Sequence, residues 1–282
     1  MFVTRHSALF VAALLAGCAA PASHPSAPRP STHAGTRVWQ GASDQHVPPF
    51  ASVPFERFSR ADAIAIAQRE WRLFGQPVDD NPPDDTRPPP LPEQMPERMP
   101  GLWQRVGEYW WEGLDPSQRE AAWTGMHDES GTLFDASRDG DFAWSAAFIS
   151  YIMRIAGAGN RFPYAASHAT YIDAAVLGQS PVLRAHPIDS YAPKPGDLIC
   201  TGRGAAAGLR YADLPAPSFQ SHCDIVVGAT ATLLTVIGGN VDDAVTEKHV
   251  PLSANGTLAG VDGKPIDTRY PWLVVLEVIY DR

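Results

Sequence analysis

The spacing of apolar residues changes partway along this chain. Before Gly178 apolar side chains recur with helical spacing, and after it they alternate. Helices are predicted over residues 61–74, 102–111, 115–127, 141–154 and 168–177. Strands are predicted over residues 197–200, 224–229, 232–237, 248–252 and 272–279. Helices followed by mostly antiparallel strands predict an α+β fold and argue against a doubly wound sheet.

The first 54 residues are predicted to precede the folded domain. Residues 1–17 have a basic start and an apolar run that is too short to span a bilayer, which predicts a signal peptide. The run Leu15-Ala16-Gly17-Cys18 resembles the bacterial lipobox. That resemblance implies a lipid on Cys18 and, with Ala19 next, the periplasmic face of the outer membrane; an ordinary secretory signal is the alternative. Residues 18–54, rich in Ala, Pro and Ser, predict a tether.

Residues 55–282 are predicted to form one domain, with an N-terminal helical part (55–135) and a core (136–282). Within the helical part, the Pro- and Asp-rich run 76–101 fits no regular element and predicts a surface loop or insertion. A net charge of −9 argues against a nucleic-acid partner, which needs a basic face. No cofactor is predicted, and no spacing of Cys, His and carboxylate residues predicts a metal site.

The most apolar predicted helix, residues 141–154, carries Ser145 near its start. Asp141 is predicted to cap this helix. The free N–H groups and the positive end of the helix dipole favour a negative charge that develops at Ser145. Alternatively, Ser145 is a small residue that only allows close helix packing.

Two cysteines, Cys200 and Cys223, remain once Cys18 is assigned to lipid, and an oxidising compartment is expected. Cys200 ends one predicted strand and Cys223 begins the next, so the two residues come close together if these strands pair. A disulfide that closes the loop between them would stabilise the fold by roughly 3 kcal/mol. A disulfide and two inert buried thiols are equally compatible with the sequence. A nucleophilic Cys223 is disfavoured, because a strand turns its side chain away from the face used by His222.

Three stretches occur in the order found in the cysteine, histidine-dependent amidohydrolase/peptidase (CHAP) group and its NlpC relatives, which are papain-like cell-wall hydrolases. They are Trp144-Ser145-Ala146-Ala147-Phe148, the turn Pro195-Gly196-Asp197 with the later Ser221-His222-Cys223-Asp224, and Gly238-Gly239-Asn240. The resemblance spans residues 141–252. It implies a papain-like domain, in which the nucleophile helix packs on an antiparallel sheet, with extra N-terminal helices. The whole chain, lipobox included, also resembles a bacterial lipoprotein family of unknown function.

The resemblance implies that Ser145 is the nucleophile, His222 the general base and Asn240 the residue that orients the base. The family's nucleophile is Cys. A hydroxyl must instead lose its proton to the base during attack, and Asn cannot neutralise an imidazolium as Asp does.

Other residues are candidates for parts of this site. Asp224, Asp242 and Asp243 are candidates for the missing negative charge, and strand alternation does not decide among them. His168 is a second candidate base, although the favoured interpretation is a residue near a helix cap with no catalytic role.

Two functions are compatible with these residues. The favoured one is hydrolysis of peptide or amide bonds in peptidoglycan, and the alternative is an inactive relative that binds cell-wall peptides or a protein partner. Peptidoglycan or its peptides are the expected partners, and contact with the membrane is expected only through the lipid anchor. The sequence predicts no particular oligomeric state.

Overall fold

The computed structural model describes residues 56–81, 94–128, 130–135, 138 and 141–282. The predicted signal peptide, Cys18 and the predicted tether lie outside the described residues and stay predictions. In the part of the chain that is described, no helix is long and apolar enough to cross a membrane.

Helices precede strands along the described chain. The helices are α1 (Arg60–Leu73), α2 (Leu102–Gly113), α3 (Ser145–Ile155) and α4 (His168–Val176). The strands are β1 (Leu183–His186), β2 (Leu198–Gly202), β3 (Ser221–Ala229), β4 (Leu233–Val241), β5 (Ala244–Pro251) and β6 (Trp272–Val278). They form one sheet in the order β1-β6-β2-β3-β4-β5, in which every neighbouring pair is antiparallel. The predicted α+β class is confirmed.

Two elements differ from the prediction. The helix predicted over 115–127 is absent, and the chain makes only a short 3-10 turn at Arg119–Ala122. Asp115 Oδ1 accepts the backbone N–H of Ser117 at 2.8 Å and its hydroxyl at 2.7 Å, so a local turn satisfies this stretch without a helix. The pattern also misses β1, which has four residues and pairs with β6 at one edge of the sheet.

The sheet is buried on both faces. Along β2, Leu198 and Cys200 face the core shared with the helices, while Ile199 faces a second core on the opposite side. Leu258 and Tyr270, from the segment between β5 and β6, close this second core. Because side chains alternate along a strand, β2 supplies apolar residues to both layers.

A buried carboxylate, Glu70 of α1, ties the helices together. Arg105 of α2 donates two hydrogen bonds to it, each 2.6 Å long, and the Tyr109 hydroxyl donates a third at 2.8 Å. The hydroxyl of Tyr151, from α3, lies 3.4 Å from the same carboxylate. A paired Arg–carboxylate contact fixes orientation as well as distance, so α1 and α2 are held in a defined orientation, and Tyr151 links α3 to the same carboxylate.

Part of the run 76–101 is buried, contrary to the prediction of a surface loop. Glu97 and Arg98 form a 3-10 turn with Pro96 and are each 5% exposed. The Glu97 carboxylate packs beneath Trp144, at the start of α3, which explains its burial. Residues 82–93 of the run lie outside the described residues.

Candidate active site

Helix α3 begins at Ser145 and not at Asp141, as predicted. Trp144 occupies the N-cap position, and Asp141 lies before the helix, where it pairs with Arg138 at 3.5 Å. The first helical N–H to reach a backbone carbonyl is that of Phe148, which donates to Trp144 at 2.9 Å. Ser145 therefore occupies the first helical position, where N–H groups without an intrahelical acceptor favour a negatively charged oxygen.

Two adjacent glycines of β4 allow this strand to lie close to α3 and to side chains of β3. A Cβ on Gly239 would lie 2.6 Å from the Cβ of Phe148 in α3. A Cβ on Gly238 would lie 2.0 Å from Asp224 Oδ1 and 2.9 Å from His222 Nε2. A side chain at Gly239 would displace α3, and one at Gly238 would displace Asp224 and His222.

Ser145 contacts a histidine of α4. Its Oγ lies 2.8 Å from Nε2 of His168, which is the first residue of that helix. The other ring nitrogen of His168, Nδ1, is hydrogen-bonded to the hydroxyl of Tyr171. Both ring nitrogens thus have partners that fix the orientation of the imidazole. The structure brings Ser145 to His168, the second candidate of the sequence analysis, and not to His222.

His222 belongs to a second hydrogen-bond network, next to the contact between Ser145 and His168. Its Nε2 lies 2.9 Å from Asp224 Oδ1, and the other oxygen of Asp224 lies 2.7 Å from Lys248 Nζ of β5. These three residues are at most 2% exposed. The rings of His222 and His168 are 5.5 Å apart between centroids. Of the three carboxylates considered from the sequence, Asp224 is the one that holds the His222 ring.

Asn240 lies near the end of β4 and lines the cleft. Among the described side chains, His222 bonds to Asp224, and no hydrogen bond joins it to Asn240. The φ angle of Asn240 is +56°, and Asp242 and Asp243 follow with φ of +51° and +56°. Short polar side chains tolerate this left-handed backbone. Asn240 therefore shapes the turn into β5 and the cleft wall, and does not orient His222 as the resemblance implies.

The cleft has a volume of about 440 Å³. Its walls are formed by the starts of α3, α4 and β3 and by the loop after β2. The polar and ionisable side chains considered for function that line it are Ser145, His168, Arg203, Ser221, His222 and Asn240. A separate cavity of about 500 Å³ beside Arg60, Arg184 and Glu277 contains none of them. No group of His, Cys, Asp and Glu side chains within the described ranges could hold a metal ion.

Burial keeps both histidines neutral near neutral pH. It lowers the pKa of His168 well below the usual value, and the neighbouring His222 ring and the Arg203 guanidinium act in the same direction. It lowers the pKa of His222 to about 4, although Asp224 opposes the shift. Burial acts to raise the pKa of Asp224, but Lys248 and His222 outweigh it and hold that pKa below its usual value. The site thus has neutral imidazoles, which can accept protons, beside an ionised carboxylate.

Of the two alternatives for Cys200 and Cys223, a disulfide or two free thiols, the structure contains the disulfide. Cys200 and Cys223 lie directly opposite each other on β2 and β3, with their Cα atoms 4.1 Å apart, and are bonded. The next pair in the register is Thr201 and His222. The cross-link therefore fixes the strand pair beside His222, and it leaves no free thiol at Cys223 to act as a nucleophile.

Glu97 lies beneath the start of α3. Its Oε2 accepts a hydrogen bond of 2.5 Å from Nε1 of Trp144. Burial first, and then the nearby Asp243, raises the pKa of Glu97 to about 7. Above that pH the folded protein contains a buried, ionised carboxylate that is hydrogen-bonded to Trp144, the N-cap residue of α3.

Replacing Glu97 with Gln is expected to raise the melting temperature at pH 8 and to change it little at pH 5. Between its ordinary pKa of 4.5 and about 7, folded Glu97 holds a proton that the unfolded chain has released. Wild type therefore loses stability as pH rises through this window, while Gln keeps the acceptor for Trp144 without the charge. Thermal unfolding at both pH values measures the effect, with Glu108→Gln on the exposed face of α2 as the control. An equal change at both pH values would contradict the prediction.

Most of the chain matches a family model. A family model described as an uncharacterized protein conserved in bacteria (DUF2272) matches residues 97–278, which include α2 to β6 and every residue of the cleft. No curated protein and no solved structure matches the chain. Because the match covers well over half of its length, the chain belongs to this bacterial family.

Proposed function

We propose that this protein is a serine-dependent amidase or peptidase that cleaves amide bonds in the peptides of peptidoglycan. Ser145 is the nucleophile and His168 the general base. The observation that carries the proposal is the 2.8 Å contact between Ser145 Oγ and His168 Nε2 inside a cleft. A hydroxyl within hydrogen-bond reach of a neutral, oriented imidazole is the arrangement that activates a serine for acyl transfer.

The proton path follows from this contact. As Ser145 Oγ adds to the substrate carbonyl carbon, its proton moves to Nε2 of His168, which requires the tautomer with hydrogen on Nδ1 and the Tyr171 oxygen as acceptor. The imidazolium then gives the proton from Nε2 to the leaving amine as the C–N bond breaks. Water attacks the acyl carbon on Ser145 and loses a proton to the same nitrogen. That proton then moves to Ser145 Oγ as the bond between this oxygen and the acyl carbon breaks, which releases the acid and restores the serine.

The start of α3 provides stabilisation for the oxyanion. The N–H groups of its first turn have no intrahelical acceptor and adjoin Ser145. Fixed donors of this kind stabilise the charge that develops on a carbonyl oxygen during attack.

Asp224 supplies negative charge for the transient imidazolium. Tyr171 stays neutral, because burial and then Asp224 raise the pKa of its hydroxyl well above the usual value. Asp224 is ionised and acts to raise the pKa of His168, which means that it favours the protonated ring. This carboxylate bonds to His222 and not to His168, so we expect slower turnover than in a triad with a direct His–Asp bond.

Peptidoglycan as the substrate rests on the resemblance to the CHAP and NlpC hydrolases. The packing of a nucleophile-bearing helix against an antiparallel sheet supports the papain-like part of that resemblance. The predicted signal peptide and lipid-modified Cys18 support a location at the periplasmic face of the outer membrane.

The test is incubation of the protein with purified peptidoglycan, followed by mass spectrometry of released fragments. New amine and carboxyl ends should form with wild type and not with Ser145→Ala. Ser145→Cys tests the alternative function, because a thiol has a lower pKa than a hydroxyl and gives up its proton to the base more readily. If wild type is inert while Ser145→Cys cleaves, the natural protein is a disabled hydrolase that binds cell-wall peptides or a protein partner.

A further inference from the structure

Arg203 projects into the cleft from a turn that is fixed at several points. It follows β2 directly, and its side chain is exposed. Its backbone N–H donates to Gln220 and its carbonyl accepts from Ala206, both at 2.9 Å. A Cβ on the preceding Gly202 would lie 2.1 Å from the Ala206 oxygen, so this tight turn requires glycine. The backbone of Arg203, from which the side chain extends, is therefore held in place before any ligand binds.

The guanidinium of Arg203 has no carboxylate partner among the described residues, although it lies close to the reacting groups. Its positive charge lowers the pKa of both His168 and His222. Other arginines of the fold bind acidic side chains, as Arg105 does with Glu70 and Arg161 with Asp281. Arg203 instead lines the cleft that contains Ser145.

A second polar group in the cleft also lacks a partner. Ser221 faces Gly202 across the β2–β3 pair, so it lies beside the start of the Arg203 turn. Its Oγ is buried without a hydrogen-bond partner among the described residues, and the residue lines the cleft. A buried hydroxyl in this state is unfavourable until a ligand oxygen accepts a hydrogen bond from it.

We propose that Arg203 and Ser221 form a carboxylate-binding subsite, and that the substrate is a peptide with a free carboxylate near the amide bond that Ser145 attacks. The inference rests on the proposed function. A guanidinium binds a carboxylate through two parallel hydrogen bonds, and the Ser221 hydroxyl adds a third donor. One cation suits one carboxylate, whereas a net charge of −9 on the chain repels a polyanion.

The test compares three forms of one peptidoglycan stem peptide. One has all carboxylates free, one has the glutamate α-carboxylate converted to an amide, and one has the C-terminal carboxylate converted to an amide. With wild type, one of the two amidated forms should show a kcat/KM about 10- to 100-fold lower than the free form. Arg203→Gln should abolish this difference, and Ser221→Ala should reduce it. Arg210→Gln removes an equal charge from the same loop outside the cleft and should keep it.

The outcomes separate the subsite from the hydrolase. If amidation leaves the wild-type kcat/KM unchanged, or if Arg203→Gln keeps the difference, the subsite is overturned while hydrolysis stands. If wild type cleaves none of the three peptides, calorimetric titration with the same peptides decides. Tighter binding of the free form by wild type, lost in Arg203→Gln, then supports the subsite without hydrolysis, and equal or absent binding overturns it.

Discussion

Replacing His168 with Gln is expected to slow hydrolysis of a stem peptide by about 10²- to 10⁴-fold, the usual contribution of a general base. His168 Nε2 is the nitrogen that contacts Ser145 Oγ, and an amide in its place cannot hold the transferred proton. His222→Gln is the matched comparison, because this second buried imidazole of the cleft bonds to Asp224. We expect it to cause a smaller loss, since His222 acts on the reaction only through the position of that carboxylate.

The measurement is kcat/KM for wild type and both variants, with thermal unfolding of each to show that the fold survives. A larger loss in His222→Gln than in His168→Gln would contradict the assignment. It would show that the base is His222, as the resemblance to the CHAP and NlpC hydrolases implies.

Replacing Lys248 with Met is expected to lower the free energy of unfolding by about 3–5 kcal/mol. The Lys248 ammonium lies 2.7 Å from Asp224, and their side chains are only 2% and 1% exposed. Met fills similar space but leaves the Asp224 carboxylate buried without its cation. Lys264→Met is the control, because Lys264 is 84% exposed and lies 3.4 Å from Asp262. Loss of such a surface pair costs about 0–1 kcal/mol.

A double variant tests whether the buried charge is the cause. Adding Asp224→Asn to Lys248→Met removes the unpaired carboxylate, so chemical denaturation should show partial recovery of stability. Equal stability of Lys248→Met and wild type would contradict this account. So would a double variant whose total loss of stability equals the sum of the losses in the two single variants.

The fold could be predicted where the pattern is local. The α+β class follows from a change of apolar spacing, and Ser59, a residue type that favours N-cap positions, caps α1, with its Oγ accepting the N–H of Asp62 at 3.2 Å. The helix expected after Asp115 fails because the Asp side chain and Ser117 close a turn of their own. Four-residue β1 is too short to show alternation, and only its pairing with β6 defines it.

The site was only partly predictable. Ser145 and His222 line one cleft, as the order of the motifs implies. The contact of Ser145 with His168 spans 23 positions, and it depends on tertiary packing of α3 and α4, which no periodicity encodes. One signal was present: Asp224 is two residues after His222, and side chains at that spacing lie on the same face of a strand. Lys248 gave no such signal, because a lysine within the polar run Thr246-Glu247-Lys248-His249 is expected to be exposed, although it lies at a buried position of β5.

Covalent labelling of Ser145 tests the central claim most directly, namely that His168 activates this serine. A fluorophosphonate transfers its phosphonyl group to an activated serine with loss of fluoride, and peptide mass spectrometry locates the adduct. We predict one adduct, on Ser145, in the folded protein. It should be absent in Ser145→Ala and strongly reduced in His168→Gln. An unlabelled wild-type protein, an adduct on another serine, or full labelling of His168→Gln would contradict the claim.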